Sequence, residues 1–396
     1  MNNITSLNYI LHKCLLVYIC CMNNKASTWI EINKNAVSQN IKLIKTILKA
    51  NVMLTTVVKA NGYGHGAIEI SRIALENGAD RLAVAHVEEG IELRKAKINA
   101  PILILSAIPF GAIPDAIENT LILTVASLEF AKEISRVAKR KNKTAMVHIK
   151  IDSGMRRYGI PENESAKLVR EITSLPNLNV EGIFTHFASA DENDLSFTHE
   201  QAAKFESIIN NLKKDGIKIL LIHASNSAAT LQLPQYHYDM VRVGLVIYGV
   251  SPISKLPKDI SLQPALSLKS RVGLLKQVNM GDTIGYGRTF KAHGKLKSAL
   301  VLCGYADGLP RFVSNKGFVL INGQRCKILG RVSMDQTIVD ITNVESVKIG
   351  DEVVLIGKQK QETITVEEFA KWAETIPYEI FTSINQLASR VPKVYY

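Results

Sequence analysis

Eight short apolar runs follow one another between residues 52 and 248, most of them separated by a stretch of helical periodicity, and this alternation constrains the fold more than any other feature. The runs are Val52 to Val58, Leu82 to Ala85, Ile102 to Leu105, Leu121 to Val125, Met146 to Ile151, Val180 to Phe184, Ile219 to Ile222 and Val241 to Tyr248. Between them, Ala36 to Leu48, Ile68 to Leu75, Leu128 to Ala138, Glu164 to Ile172 and Glu200 to Leu212 carry apolar residues at three and four spacing. Strands joined through helices run parallel. Eight such units in ~220 residues fit a (β/α)8 TIM-type barrel better than an open doubly wound sheet, although the alternation alone does not separate the two.

After about Ser251 the helical periodicity nearly vanishes and strand-like runs succeed one another: Leu266 to Val278, Ser298 to Leu302, Gly317 to Ile321, Lys327 to Leu329, Thr337 to Ile341 and Glu352 to Ile356. Turns such as Asn322-Gly323 and a single helical interruption near Val366 to Ala373 predict a mostly antiparallel β domain. The expected organisation is an N-terminal extension over 1–24, the barrel over 25–255 and the β domain over 256–396, with no fixed-period repeat and no low-complexity linker.

Composition narrows the class. Hydrophobic residues at 46% and charged residues at 21% exclude a disordered or collagen-like chain, and 396 residues allow a large core. The balance of 48 basic against 36 acidic residues raises the question of an anionic partner. The densest basic run, Lys139 to Lys143, has no interleaved aromatics and reads as a solvated face, so no nucleic acid is expected. Leu15 to Met22 falls short of the ~20 residues of a membrane-spanning helix, so no membrane association is expected. An export signal there has weak support, because only His12 and Lys13 lead it and no clean cleavage site follows. The extension is instead a misassigned start before Met22 or an unordered tail. Five cysteines without any Cys-x-x-Cys or paired Cys/His spacing form neither a disulfide framework nor a metal site, which suits a reducing cytoplasm.

The strongest chemical signal is Thr55-Thr56-Val57-Val58-Lys59-Ala60-Asn61-Gly62-Tyr63-Gly64-His65-Gly66. Active sites of parallel barrels are assembled at the C-terminal strand ends. An amine in an apolar mouth has its pKa pushed down and becomes a nucleophile able to form a Schiff base. Two alternatives stand beside this: Lys59 marks the edge of the core, or Gly62-x-Gly64-x-x-Ala67 is a relaxed dinucleotide fingerprint. Other strand ends supply His86, Lys150 with Asp152, His186, His223, Asn226-Ser227 and Arg242. Single histidines at strand ends are commonly structural, and Arg242 has the alternative of half a buried ion pair. Ser227 and Arg242-Val243-Gly244-Leu245 together offer the hydroxyl and backbone donors that barrels place after their late strands to hold phosphate.

Val58 to Gly66 closely resembles the pyridoxal phosphate attachment motif of the alanine racemase family. Matches follow in order at Asp152 to Gly159, Thr185 to Ala188, Asn226 to Ala228, Val241 to Gly244, Gly285 to Thr289, Gly304 to Gly308 and Ser333 to Gln336. The resemblance covers about Thr28 to Val394 and implies the barrel-plus-β-domain architecture. It implies that Lys59 carries pyridoxal 5'-phosphate as a Schiff base and serves as one catalytic base. Tyr286 of the second subunit of a homodimer with shared active sites is then the other base. The substrate implied is alanine and the product its enantiomer, which supplies D-alanine for peptidoglycan. Two bases on opposite faces are what racemisation requires, because a single base returns the proton to the face it left.

Arg242 resembles the family's partner to the pyridine nitrogen. A guanidinium does not give up its proton, so the ring nitrogen stays largely unprotonated, the electron sink is weakened, and reprotonation at carbon wins over transamination. Tyr63, Ser227 and Tyr378 resemble the phosphate ligands, with Asn226 and the backbone of Gly244 and Leu245 assisting, and His186 the residue packed beside the ring. Arg157 resembles the contact to the cofactor's phenolic oxygen and the substrate carboxylate, held by Lys150, which some members carbamylate. Met334 and Tyr305 resemble residues lining the substrate pocket across the dimer interface, supported by Asp335. Two positions depart from the family pattern: Arg156, where glycine or asparagine is usual, and Phe290, where tyrosine is also common. A broader-specificity, exported amino-acid racemase is the alternative function. Arg242 argues against the related decarboxylases, which place a carboxylate near the pyridine nitrogen, and Tyr286 with Gly304 to Gly308 argues against non-catalytic single-domain relatives.

Overall fold

Residues 26–384 and 390–396 are described by the computed structural model of the chain. All eight apolar runs of the first part become parallel strands: β1 (Met53–Val57), β2 (Arg81–Val84), β3 (Ile102–Ile104), β4 (Leu123–Val125), β5 (Ala145–Asp152), β6 (Leu178–Phe184), β7 (Leu221–His223) and β8 (Met240–Val243). Neighbours in that order pair in parallel, and β8 returns to β1 with Met240 opposite Met53. The two seams without a regular ladder are closed by backbone bonds. Ile104 N–H donates to Ile122 C=O (2.8 Å) beside β4, and Asp239 N–H to Ile222 C=O (3.0 Å) between β7 and β8. The ring is therefore complete, which resolves the barrel from the open sheet. Its strands are largely apolar because helices cover the outside while side chains fill the inside. Among the polar exceptions, His148, Lys150, Glu181, His223 and Arg242 are buried within the ring or near its ends, and Arg81 nearly so.

The helices between them bury one stripe each. Leu128–Arg140 is capped by Ser127, whose hydroxyl accepts from Phe130 N–H (3.2 Å), and it packs inward through Ala131, Ile134, Val137 and Ala138. The basic run Lys139 to Lys143 ends this helix, where cations complement the partial negative charge of the last carbonyls, and Lys141 pairs with Glu118. β8 stops at Val243, five residues before the apolar run does. Gly244 leaves the extended region (φ −123°, ψ −87°) and a 3-10 turn, Leu245–Tyr248, takes over.

The β domain is built around the long strand Leu266–Val278, which pairs antiparallel with Leu296–Val301 and with Glu352–Gln359. Phe318–Ile321 pairs with Gln324–Lys327 through the Asn322-Gly323 hairpin, both turn residues having positive φ. Three features differ from the sequence-based expectation, the smallest being that the strand expected over Lys327 to Leu329 lies earlier, at Gln324–Lys327. The strand Thr28–Ile32 pairs antiparallel with Leu266–Val278 and parallel with Lys393–Tyr395, so it belongs to this domain rather than to the barrel. A second helix, Pro377–Ile384, follows Val366–Trp372. The chain accordingly divides into one unit of Asn35–Gln263 and another that joins residues up to Lys34 with Pro264–Tyr396. The expected extension over 1–24, with Cys14, Cys20 and Cys21, lies outside the described residues. No described helix is long and apolar enough to cross a membrane.

Candidate active site

Immediately after β1 the backbone turns the unusual way. Ala60, Asn61, Gly62 and Tyr63 all have φ between 51° and 62°, a left-handed turn directly following Lys59. Each non-glycine residue there costs about 1–2 kcal/mol, so the turn persists only because its surroundings hold it. Gly62 N–H donates to Val58 C=O (2.7 Å), and the Asn61 side chain accepts from Ala67 N–H (2.8 Å) at the start of the next helix. The Glu89 carboxylate accepts from Ala60 N–H (2.6 Å). These glycines thus serve the turn and not a dinucleotide loop, and the closed barrel has no open-sheet crevice for one. Burial pushes the Lys59 amine below its ordinary pKa, and the Arg157 charge adds to this while Glu89 opposes it. A larger neutral fraction at physiological pH makes the amine both nucleophile and base.

The turn swings Tyr63 inward. Its ring packs 5.1 Å from that of Tyr248, whose hydroxyl donates to Val57 C=O (3.1 Å). The Tyr63 phenol then stands over Gly244, where an added Cβ would lie 2.6 Å from its oxygen. Gly244 N–H donates to the buried Ser227 hydroxyl (2.9 Å), and Asn226 caps the short helix Ser227–Gln232 by accepting from Ala229 N–H (3.0 Å). Two hydroxyls and the backbone at the start of two short helices converge on a position that only glycine leaves open. This concavity fits the phosphate of a small cofactor. Leu245 opens the second of those helices.

Arg242 is buried beside this cup and has no carboxylate partner among the described residues, so the ion-pair alternative falls. Its Nη2 donates to the carbonyls of Thr185 (3.0 Å) and Ala224 (2.7 Å) and lies 3.2 Å from His186 Nδ1, while Nη1 meets His223 Nδ1 at 2.5 Å. Beyond it runs a buried chain. His223 Nε2 meets His148 Nδ1 (2.8 Å), His148 Nε2 meets Glu181 (2.9 Å), and Glu181 is gripped by both terminal nitrogens of Arg81 (2.6 and 2.7 Å). Burial pushes Glu181 up, but hydrogen bonds from His148 and Arg81 and their charge prevail and hold it at about 2. A carboxylate at one end fixes every proton in the chain. His148 must donate from Nε2 and accept at Nδ1, and His223 likewise, so Arg242 donates. Burial and then the Arg242 charge keep His223 and His186 well below the usual imidazole range, hence neutral. Burial lowers Arg242 itself to about 10, and it remains a cation at neutral pH.

Lys150, at the inner end of β5, is buried and its ammonium lies 3.3 Å above the Tyr158 ring, which the Arg157 guanidinium also approaches (5.7 Å). Both cations approach this ring, and no direct bond joins them. Burial, with the charges of Arg157 and Arg242, lowers Lys150 to about 7 against the opposing pull of Asp152. Asp152 accepts from the N–H groups of Gly154 (2.9 Å) and Arg156 (3.1 Å) and so shapes the loop that carries Arg157. Arg156 sits at φ 57°, in the left-handed region that glycine and asparagine adopt most readily.

The remaining predicted residues lie on the β unit. Tyr286 follows Gly285 (φ 73°) and is 71% exposed, a large fraction for an aromatic in a sharp turn. Met334 and Tyr305 are exposed as well, and Tyr305 helps line a groove of about 370 Å³ with Leu309, Phe312 and Ile380. Asp335 and Asp307 both pair with Arg390 (2.7 and 3.0 Å). Tyr378 stands on the helix Pro377–Ile384. His86, offered by a strand end, is exposed ahead of the helix Val87–Lys95. Sequence reasoning missed Glu89, Tyr158, Tyr248 and the chain from His148 to Arg81. Of these only Glu89 carried a signal, an acidic residue three positions after the start of a helix.

A closed parallel barrel that offers a perturbed lysine, a phosphate-shaped cup and a buried arginine at its strand ends is the scaffold of a cofactor-dependent barrel enzyme. The comparisons specify which. Residues 32–252 match the alanine racemase N-terminal domain and residues 265–395 the alanine racemase C-terminal domain. The alanine racemase of Methanococcus maripaludis is 44% identical over 369 residues, covering 93% of this chain and 98% of that one, and that of Desulforamulus reducens is 43% identical over 373 residues, covering 94% and 99%. Among solved structures, the Clostridium difficile alanine racemase superposes with TM-score 0.89 at 41% identity, covering 94% and 96% of the two chains. The Bacillus anthracis alanine racemase with bound L-Ala-P does so with TM-score 0.87 at 39% identity, covering 94% and 95%. The chain belongs to the alanine racemase family.

Proposed function

We propose that this protein is a pyridoxal phosphate-dependent racemase that interconverts L-alanine and D-alanine, working in the cytoplasm as a homodimer. The observation that carries the reading is the convergence, within one barrel, of the Lys59 amine, the Tyr63, Ser227 and Gly244 cup, and Arg242. Bound there, pyridoxal phosphate would supply an electron-withdrawing ring that stabilises negative charge on the α carbon of alanine. Lys59, with Tyr63, His186, Asn226, Ser227, Arg242, Gly244, Leu245 and Tyr378, is assigned to hold it.

The chain's own residues do the rest. The Lys59 amine, kept partly neutral by burial, takes or returns the α proton on one face of the substrate. The phenol of Tyr286 from a second copy does the same on the other. Its 71% exposure, with Tyr305, Phe312 and Met334 of the same unit also exposed, supports a partner subunit covering it. Arg157 binds the substrate carboxylate, with Lys150 against the same Tyr158 ring. A lysine held at about 7 has the neutral amine that reacts with carbon dioxide, which supports carbamylation of Lys150. Arg242 holds a fixed positive charge and, by the tautomers of His223 and His148, can only donate. Met334, Tyr305 and Asp335 complete the pocket from the partner side.

The test is direct. Purified protein incubated separately with L-alanine, L-serine and L-lysine should lose optical activity with alanine foremost, and Lys59→Ala should abolish it. Turnover persisting in Lys59→Ala would remove the assignment, and a preference for lysine would favour the broader-specificity racemase.

A further inference from the structure

Glu89 stands at the third position of the helix Val87–Lys95, where an acidic side chain ordinarily reaches back to the amide that opens its own helix. One oxygen does this: Oε2 accepts from the N–H groups of Ala85 (2.8 Å) and His86 (3.0 Å). The other oxygen leaves the helix altogether. Oε1 accepts from Ala60 N–H at 2.6 Å, a shorter and charge-assisted bond to the residue directly after Lys59. Ala60 is also where the left-handed turn begins. Helix capping explains the first oxygen and leaves the second without a purpose unless the turn needs it. A single carboxylate thereby ties the ends of β1 and β2 together around the lysine.

We propose that Glu89 is a positioning residue for Lys59, fixing the backbone from which the amine projects. The proposal rests on the reading of Lys59 as the cofactor-bearing base. Two charged groups act on the amine: Arg157 on the β5 side lowers its proton affinity, and Glu89 raises it. His186, also within its field, is kept neutral by burial. Loss of the carboxylate charge therefore shifts Lys59 toward the neutral amine at lower pH, while loss of the bond lets its backbone drift.

The experiment compares wild type with Glu89→Gln, which keeps the shape and one acceptor without the charge, and with Glu89→Ala. Holoenzyme is reduced with borohydride and the labelled lysine located by mass spectrometry. In parallel, the cofactor-free protein is treated with a dilute amine-acylating reagent across pH and the modification of Lys59 is followed. The label should fall on Lys59 in all three proteins. In Glu89→Gln the acylation profile of Lys59 should move to lower pH. In Glu89→Ala, kcat should fall by about tenfold or more while KM for alanine stays within about twofold, the pattern of a misplaced group rather than lost substrate binding. A label on another lysine would overturn the reading of Lys59 and this proposal with it. A label on Lys59 with both the acylation profile and kcat unchanged in Glu89→Gln would overturn the proposal, whether or not Glu89→Ala folds.

Discussion

Replacing Arg81 by methionine tests whether the chain of side chains behind Arg242 is a real structural element. Arg81 holds Glu181 through two short bonds, and both side chains are about nine-tenths buried. Removing the guanidinium leaves a carboxylate in a site that burial alone makes hostile to charge, and breaking such a pair from one side costs about 3–5 kcal/mol. The carboxyl's displacement leads to a similar figure. Glu181 is held at about 2 against an ordinary 4.5, and at about 1.4 kcal/mol per unit this is a stabilisation on the order of 3 kcal/mol. Folded-state depression means the contribution is present above the unfolded value and is lost as pH falls through about 2. The deficit of Arg81→Met should thus be full at pH 7 and shrink from pH 5 downward, where its carboxyl protonates first. Urea unfolding of the barrel, followed at pH 7 and pH 4 for Arg81→Met, Glu181→Gln and the double variant, measures it. In the double variant a neutral amide still accepts from His148, so much of the loss should return. A deficit below about 1 kcal/mol at pH 7, or strict additivity in the cycle, would refute the account.

Mixing Lys59→Ala with Tyr286→Phe, each inactive alone, and allowing subunits to exchange should restore about a quarter of wild-type racemisation. Half the dimers are then hybrids with one intact shared site. No recovery despite demonstrated exchange would mean the two residues act within one chain. Gly244→Ala should weaken pyridoxal phosphate binding by about tenfold or more, on the order of 1.4 kcal/mol, because its Cβ would sit 2.6 Å from the Tyr63 oxygen; equilibrium dialysis with unchanged affinity would contradict the cup. Arg156→Asn should raise the thermal midpoint by relieving about 1 kcal/mol of left-handed strain without altering kcat, and an equal or lower midpoint would show that the arginine side chain contributes more than its backbone costs.

The barrel was legible because parallel strands covered on both sides leave predominantly apolar runs, and each of the eight runs contains a strand. Where apolarity and hydrogen bonding part company the signal overshot, as at Val241 to Tyr248, whose second half is equally apolar but curls into a 3-10 turn once Gly244 breaks the ladder. The strand Thr28–Ile32 looked like the start of the barrel because its partners stand more than two hundred residues away, beyond any local pattern. Lys59, Ser227 and Arg242 were legible as polar residues at strand ends, and Tyr63 only through the family resemblance. His148, Glu181 and Arg81 were not, because they lie within strands or at the opposite strand end and reach one another only through closure of the ring. Glu89 carries an ordinary helix-start signature that hides its second bond.

The strand Thr28–Ile32 takes hydrogen bonds along both edges, one from a segment near residue 268 and one from residues 393–395. During synthesis this strand emerges ahead of segment 35–263, stays unpaired on both edges until residues 266–270 follow, and keeps its second edge open until residues 393–395 have been made. Cleavage after Arg390 would open that second edge again, turning the next-to-last strand of the sheet into its edge.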